Sequence, residues 1–236
     1  MTVTARPFGM RTAKGLVFML CLLQLAWLVW LGFNDGLGTN PIEAITHETG
    51  LWTLRLLLIT LCITPLRRFT GWNAVLRLRR MLGLFAFFYA CLHLLTYVWL
   101  DQFFDWGGML HDIAKRPFIT VGFAGFLCLV PLAVTSTHAM MKRLGRRWQQ
   151  LHRLVYVIPV LGVLHYLWLV KADIGPPLGY GAIVAGLLGV RLYWARRAAR
   201  AVRNRPQTPF ATETADKNGR LQGAYVASAD SSSVCE

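Results

Sequence analysis

The feature that most constrains this chain is a set of six apolar stretches, at residues 15–33, 51–66, 81–100, 117–136, 151–170 and 177–195. At about 1.5 Å of rise per residue, most reach the roughly 20 residues that cross a hydrocarbon core about 30 Å thick. In that medium every backbone amide must be bonded within its own segment, so the stretches are read as helices. The second is short and carries Arg55; it is kept because the topology needs it. A secretory signal is the rival reading of the first. Its apolar run is too long for a signal core, and no small-residue cleavage site follows Leu31-Gly32-Phe33-Asn34, so it is read as an anchor. Composition agrees: 55% of residues are hydrophobic and 15% charged, against about 25% charged in soluble domains.

The chain carries 25 Lys and Arg against 11 Asp and Glu, a net charge of +14. A basic excess often marks a nucleic-acid binder, but here the charge is sorted by loop. Arg6, Arg11 and Lys14 precede the first stretch, and Arg67, Arg68, Arg77, Arg79 and Arg80 separate the second from the third. Lys142, Arg143, Arg146 and Arg147 separate the fourth from the fifth, and Arg191, Arg196, Arg197, Arg200, Arg203 and Arg205 end or follow the sixth. The alternate loops hold Lys115, Arg116 and Lys171 with seven acids: Asp35, Glu43, Glu48, Asp101, Asp105, Asp112 and Asp173. Such alternation follows the positive-inside rule with both termini cytoplasmic. The excess is an orientation signal, and no nucleic-acid partner is expected.

The expected organisation is a cytoplasmic N-terminus over 1–14, a transmembrane domain over 15–200 and a disordered cytoplasmic tail over 201–236, rich in Ala and Ser at its end. The tail has no Gly-rich nucleotide fingerprint and is too short for a dinucleotide-binding domain. Cys21, Cys62, Cys91 and Cys128 lie in apolar segments and Cys235 in the tail. No C-x-x-C or C-x-x-C-H occurs, which argues against a zinc ribbon, a dithiol centre and covalent haem attachment.

Ionisable groups inside membrane helices are costly and read as functional by default. His93 lies about 18 Å into the third stretch and His165 about 24 Å into the fifth, a difference that helix tilt absorbs. Two imidazoles from two helices at one depth suit axial ligation of a b-type haem iron. The bland alternative is two unrelated histidines bonded to neighbouring helices. His152, 13 residues before His165, sits near the cytoplasmic face and is the candidate ligand of a second haem. An ideal helix separates these two side chains by about 140°, a mismatch that a kink at Pro159 would change. The residue 13 before His93 is Arg80, which cannot ligate iron, so His138 is the candidate partner. One haem is the primary expectation and a second an addition.

His47 and His111 are expected in outer loops as solvated residues. Arg55 is a candidate haem-propionate contact or a snorkelling residue. Arg79 and Arg80, with Arg77, are candidates for propionate or flavin-phosphate contact, although topology alone accounts for them. Trp27, Trp30, Trp52, Trp99, Trp106 and Trp168 fall near helix ends and read as an interfacial belt.

The block from Thr135-Ser136-Thr137 through Arg146-Arg147-Trp148-Gln149-Gln150-Leu151-His152 to His165-Tyr166-Leu167-Trp168 closely resembles the MsrQ family. Thr49-Gly50, Ile63-Thr64-Pro65-Leu66, Arg79-Arg80-Met81-Leu82-Gly83-Leu84, His93-Leu94 and Arg116-Pro117 resemble it too. This family of haem-binding membrane subunits is a branch of the ferric-reductase-like transmembrane group, and the resemblance runs from about 16 to 197. It implies an all-α integral membrane protein of the bacterial inner (plasma) membrane: a six-transmembrane-helix bundle binding haem b. It implies His93, His152 and His165 as haem ligands and FMN as a further cofactor. Electrons would come from the quinone pool, or through a separate cytosolic flavin reductase. The acceptor would be MsrP, a periplasmic molybdopterin enzyme that reduces methionine sulfoxide in envelope proteins and carries the substrate's catalytic centre. The other readings are a stand-alone ferric or quinone reductase, a small transporter with proton-relay or metal-binding histidines, and an assembly factor. The transporter reading expects acids inside the helices, where the sequence places none of the eleven.

Overall fold

The computed structural model describes residues 7–170 and 173–204, and every described regular element is helical. The chain forms α1 (Pro7–Phe33), α2 (Pro41–Thr70), α3 (Leu76–Leu95), α4 (Trp106–Lys115), α5 (Pro117–Val134), α6 (His138–Leu144), α7 (Arg146–Leu151), α8 (Ile158–Leu169) and α9 (Gly175–Arg203). Among the described residues, six segments are long and apolar enough to cross a membrane: Arg11–Phe33, Pro41–Thr70, Asn73–Asp101, Pro117–Val134, Arg146–Leu169 and Gly175–Ala201. This is a multi-pass membrane protein. Arg6, Lys171, Arg205, Cys235 and the part of the expected tail from 205 to 236 lie outside the described residues.

Four of the spans form the centre. The α2 helix packs mainly on α3, and α5 on α8, with α2–α8 and α3–α5 contacts joining the two pairs. Leu56, Leu61, Ala86, Tyr89 and Ile158 are almost fully buried there. Tyr89 donates its hydroxyl to the Cys21 carbonyl at 2.7 Å, which ties α1 to α3 and satisfies a phenol that would otherwise be orphaned in apolar surroundings. By contrast Leu16, Met19, Leu23, Leu178, Ile183 and their neighbours leave the faces of α1 and α9 exposed and apolar. Such faces are suited to lipid, where apolar exposure carries no penalty. Residues from 192 onward form a separate unit, of which 192–204 are described: a helical segment with Arg196, Arg197, Arg200 and Arg203 exposed.

Helix boundaries depart from the apolar pattern where local signals outrank hydropathy. The second span starts at Pro41, well before the apolar stretch. The Asn40 side chain caps it by accepting from the Glu43 amide at 3.3 Å, and its own amide reaches the Glu43 carboxylate at 3.0 Å. Glu43, His47 and Glu48 therefore ride on a helix and not in a loop, which corrects their sequence placement and the view that no acid lies on a spanning helix. His111 is likewise on a helix, the short α4, whose first turn is capped by the Asp105 carboxylate accepting from Gly108 at 3.0 Å. His111 is exposed there. At the other end, Gly71 closes α2 in the left-handed conformation, φ 70°, donating to the Arg67 carbonyl at 2.8 Å.

The fifth span is broken. Between α7 and α8 the chain runs as a 3-10 helix over His152–Tyr156, and Pro159 lies in the first turn of α8. Five steps at about 120° in place of about 100° re-phase the helix and leave His152 and His165 about 40° apart around the axis instead of about 140°. Their separation along it becomes about 22 Å. The re-phasing that was expected at a proline kink is supplied by the 3-10 stretch before the proline.

Candidate functional site

His93, on α3, points at α2. Its Nδ1 lies 2.8 Å from the Thr46 carbonyl. His165, on α8, points at α5, with Nδ1 2.6 Å from the Phe118 carbonyl. A carbonyl only accepts, so each ring carries its proton on Nδ1 and presents the lone pair of Nε2. Fixing one ring nitrogen by a backbone carbonyl to orient the other is the arrangement that metal-bound histidines use. The two rings meet with centroids 6.1 Å apart and planes at 79°.

The two half-sites share one construction. In each, the carbonyl lies 47 residues before its histidine, and the residue four places after the carbonyl is a glycine, Gly50 or Gly122. A helical carbonyl points along the axis toward the residue four places on, so a side chain there would crowd the ring. A Cβ on Gly50 would stand 3.0 Å from His93 Cε1, and one on Gly122 would stand 2.7 Å from His165 Nδ1. Both glycines are spaces filled by an imidazole. Thr46 is fixed in turn: its hydroxyl donates to the Ile42 carbonyl at 2.8 Å and meets the Thr96 hydroxyl at 3.2 Å, while Thr96 donates to the His93 carbonyl at 2.8 Å.

This donor set suits a metal inside a macrocycle. Two imidazoles sharing one metal, with bonds of about 2 Å and nitrogens about 1.1 Å from ring centres, place their centroids about 6.2 Å apart. The observed 6.1 Å leaves room for that arrangement. Among the described residues no group of three or more His, Cys, Asp or Glu converges, so a bare cation lacks the rest of its coordination sphere. A haem would supply its remaining nitrogen ligands itself, leaving His93 and His165 to hold it.

Apart from Arg55, sequence reading missed the shell around this pair. His47, half-buried on α2, lies edge-on to Tyr166 with centroids 6.1 Å apart, and Tyr166 faces Tyr180 at 6.3 Å. Arg55 donates from Nε to the Tyr180 hydroxyl at 3.0 Å, faces the Glu48 carboxylate at 3.8 Å and stacks over the Trp52 ring at 5.2 Å. The matching carbonyl-to-histidine and glycine-to-histidine intervals were the available signal for Thr46, Gly50, Phe118 and Gly122.

The other expected residues lie toward the basic end of the bundle. His152 stacks on Trp148 at 3.9 Å, with Nδ1 3.2 Å from that residue's carbonyl, and Trp148 is anchored to the Thr135 carbonyl at 2.9 Å. His138 is exposed at the start of α6. Arg79 is half-buried beside His152, whereas Arg80, one step around α3, is exposed. Arg55, at the His93 end, is not in this group.

The family model for the ferric reductase like transmembrane component matches residues 49–163, a range that includes Gly50, His93, Gly122 and His152. A relative from Herminiimonas arsenicoxydans is 56% identical over 198 residues, covering 83% of this chain and 91% of its own. It is named as the protein-methionine-sulfoxide reductase heme-binding subunit MsrQ. The chain belongs to the MsrQ family. Further MsrQ relatives, from Bordetella pertussis and Rhodospirillum rubrum, are 53% and 55% identical, covering 84% and 82% of this chain and 97% and 93% of their own. No solved structure matches.

Proposed function

We propose that this chain is the haem b electron-transfer subunit of a protein-methionine-sulfoxide reductase system, with His93 and His165 as the axial ligands of its haem. The reading rests on one observation: two imidazoles at 6.1 Å, each held by a backbone carbonyl through Nδ1, with Nε2 left to ligate. A bound haem b supplies one-electron oxidation and reduction. The chain's part is to hold the ring tautomers, and so the direction of both Nε2 lone pairs, through Thr46 and Phe118. Gly50 and Gly122 let the helices approach closely enough for both rings to fit. The apolar helices around them keep water from the iron and confine the charge change to a low-dielectric site.

By the positive-inside rule the termini are cytoplasmic, and the His93/His165 pair lies in the outer half of the inner membrane. Electrons then enter from the quinone pool, directly or through FMN, and leave to the periplasmic molybdopterin partner MsrP. A groove of about 1180 Å³ between α1, α2 and α3 supports membrane-side entry. It is apolar along most of its length, lined by residues such as Leu20, Trp27, Leu56 and Ile63, with Gln24 as a hydrogen-bonding side chain. An isoprenoid quinol matches that combination of long apolar wall and sparse polar contact. His152 lies on nearly the same helix face as His165, which supports a second haem toward the basic end.

A proton-relay role fits the geometry less well. Both Nδ1 protons are given to carbonyls that cannot pass them on, so neither ring can hand a proton through without breaking its anchor. Reduced-minus-oxidised spectra of the purified full chain test the proposal: loss of the same b-type haem contribution in both His93→Ala and His165→Ala supports it. A spectrum unchanged in both removes it.

A further inference from the structure

Among the described residues, the basic end of the bundle holds two cations with no anion to meet them. Arg191, on α9, donates from Nη1 to the Tyr156 hydroxyl at 2.7 Å and from Nη2 to the Leu61 carbonyl at 2.7 Å, with its guanidinium 5.0 Å from the centre of the Tyr156 ring. That carbonyl is open for a local reason: its helical partner four residues on is Pro65, which has no N–H. Arg191 therefore sits in a fixed position. Its Nε is buried without a hydrogen-bond partner. Arg79, on α3, is half-buried close to Arg191, Tyr156 and His152.

Among the described residues no acid pairs with either arginine. No Asp or Glu occurs in residues 49–100, 113–172 or 174–212, the stretches that form these spans. The two ion pairs among the described residues, Arg55–Glu48 and Arg116–Asp112, involve other arginines. A phenol and a carbonyl satisfy some N–H groups but remove no charge. Two half-buried guanidiniums close to each other repel, and in the low dielectric of a membrane span such an arrangement is costly without a counter-charge. Guanidinium groups present planar N–H forks that match the oxygens of carboxylates and phosphates.

We propose that Arg79, Tyr156 and Arg191 form an anion-binding site, about one membrane half away from the His93/His165 pair, that takes the carboxylate or phosphate oxygens of a membrane-embedded ligand. The site stands on charge and hydrogen bonding, independently of the haem reading. Three ligands carry the right chemistry: a flavin mononucleotide phosphate, the propionates of a haem near His152, and a phospholipid headgroup.

The test uses the purified full chain and the variants Arg79→Gln, Arg191→Gln and, to keep the charge, Arg191→Lys. FMN affinity is measured by flavin fluorescence, with riboflavin as the phosphate-free control, alongside haem-to-protein ratio and native mass spectrometry of bound phospholipid. A loss of about tenfold or more in FMN affinity in both Gln variants, with riboflavin unaffected and partial rescue by Lys, supports the site with a phosphate monoester. Loss of part of the haem in the Gln variants, with the His93/His165 spectrum retained, supports it with a propionate. Loss of a co-purifying phospholipid supports it with a lipid phosphate. The proposal is overturned if FMN binding, haem content and bound lipid all match the unsubstituted protein. It is also overturned if Arg79→Gln raises the unfolding temperature, because relief of like-charge repulsion stabilises only a site that holds no anion.

Discussion

Gly122 and His165 occupy one space: a methyl group on the glycine would stand 2.7 Å from the imidazole Nδ1. No real Cβ contact is that short, so the presence of a ring on α8 requires the absence of a side chain on α5. The same relation, slightly looser, links Gly50 to His93 at 3.0 Å.

Gly122→Ala is therefore expected to push His165 off the Phe118 carbonyl and to lower haem affinity by about tenfold or more, the usual effect of disturbing a ligand's outer support. Gly50→Ala should do the same less severely. Gly125→Ala is the control, since the nearest atom to its added Cβ is Leu161 Cβ at an ordinary 3.7 Å. Haem-to-protein ratios of the three variants decide the point, and equal loss in Gly125→Ala would count against it.

Tyr89→Phe removes the hydroxyl that holds α1 to α3 and leaves the Cys21 carbonyl without that donor. A buried hydrogen bond of this kind contributes about 1 kcal/mol. Unfolding in mixed micelles should show a loss of that order, while the haem spectrum stays unchanged because the hydroxyl bonds to Cys21 on α1, whereas the His93 ring is held by Thr46.

If a quinol enters at the groove between α1, α2 and α3, Gln24→Leu should slow haem reduction by a soluble quinol about tenfold, the effect expected from loss of a polar anchor in an apolar site. Reduction by dithionite should be unchanged. Stopped-flow absorbance with both reductants separates electron entry from haem binding, and an unaltered quinol rate would place entry elsewhere.

His152→Ala should leave the His93/His165 spectrum in place, because the two histidines are about 22 Å apart along the broken helix. Any haem lost with His152 is then a second one. Loss of all haem in this variant would mean that the two positions are not independent.

The six spans were legible because a bilayer leaves few choices: each apolar stretch had to become a helix, and the loop charges sorted themselves by side. The depth match between His93 and His165 was legible for the same reason, since rise per residue converts sequence position into depth. Helix ends were not. The cap formed by Asn40 and Glu43 outweighs the polarity of residues 41–50, so His47 and Glu48 appear on a helix that hydropathy does not reveal. Nor was the 3-10 stretch at His152–Tyr156 readable, because one residue of extra winding leaves no compositional trace. Arg191 looked like a topological charge at a helix end; its meeting with Leu61, Tyr156 and Arg79 is a long-range contact that no local pattern encodes. The glycine at each half-site was visible, but only the packed rings explain it.

The central claim is that His93 and His165 together hold one haem through Nε2. The most direct test is the haem-to-protein ratio and reduced-minus-oxidised spectrum of the full chain, in its unsubstituted form and as His93→Ala, His165→Ala and the double variant. The account predicts that each single variant loses the same haem and that the double variant loses no more than either. Retention of that haem in either single variant, or additive losses in the double, would contradict it.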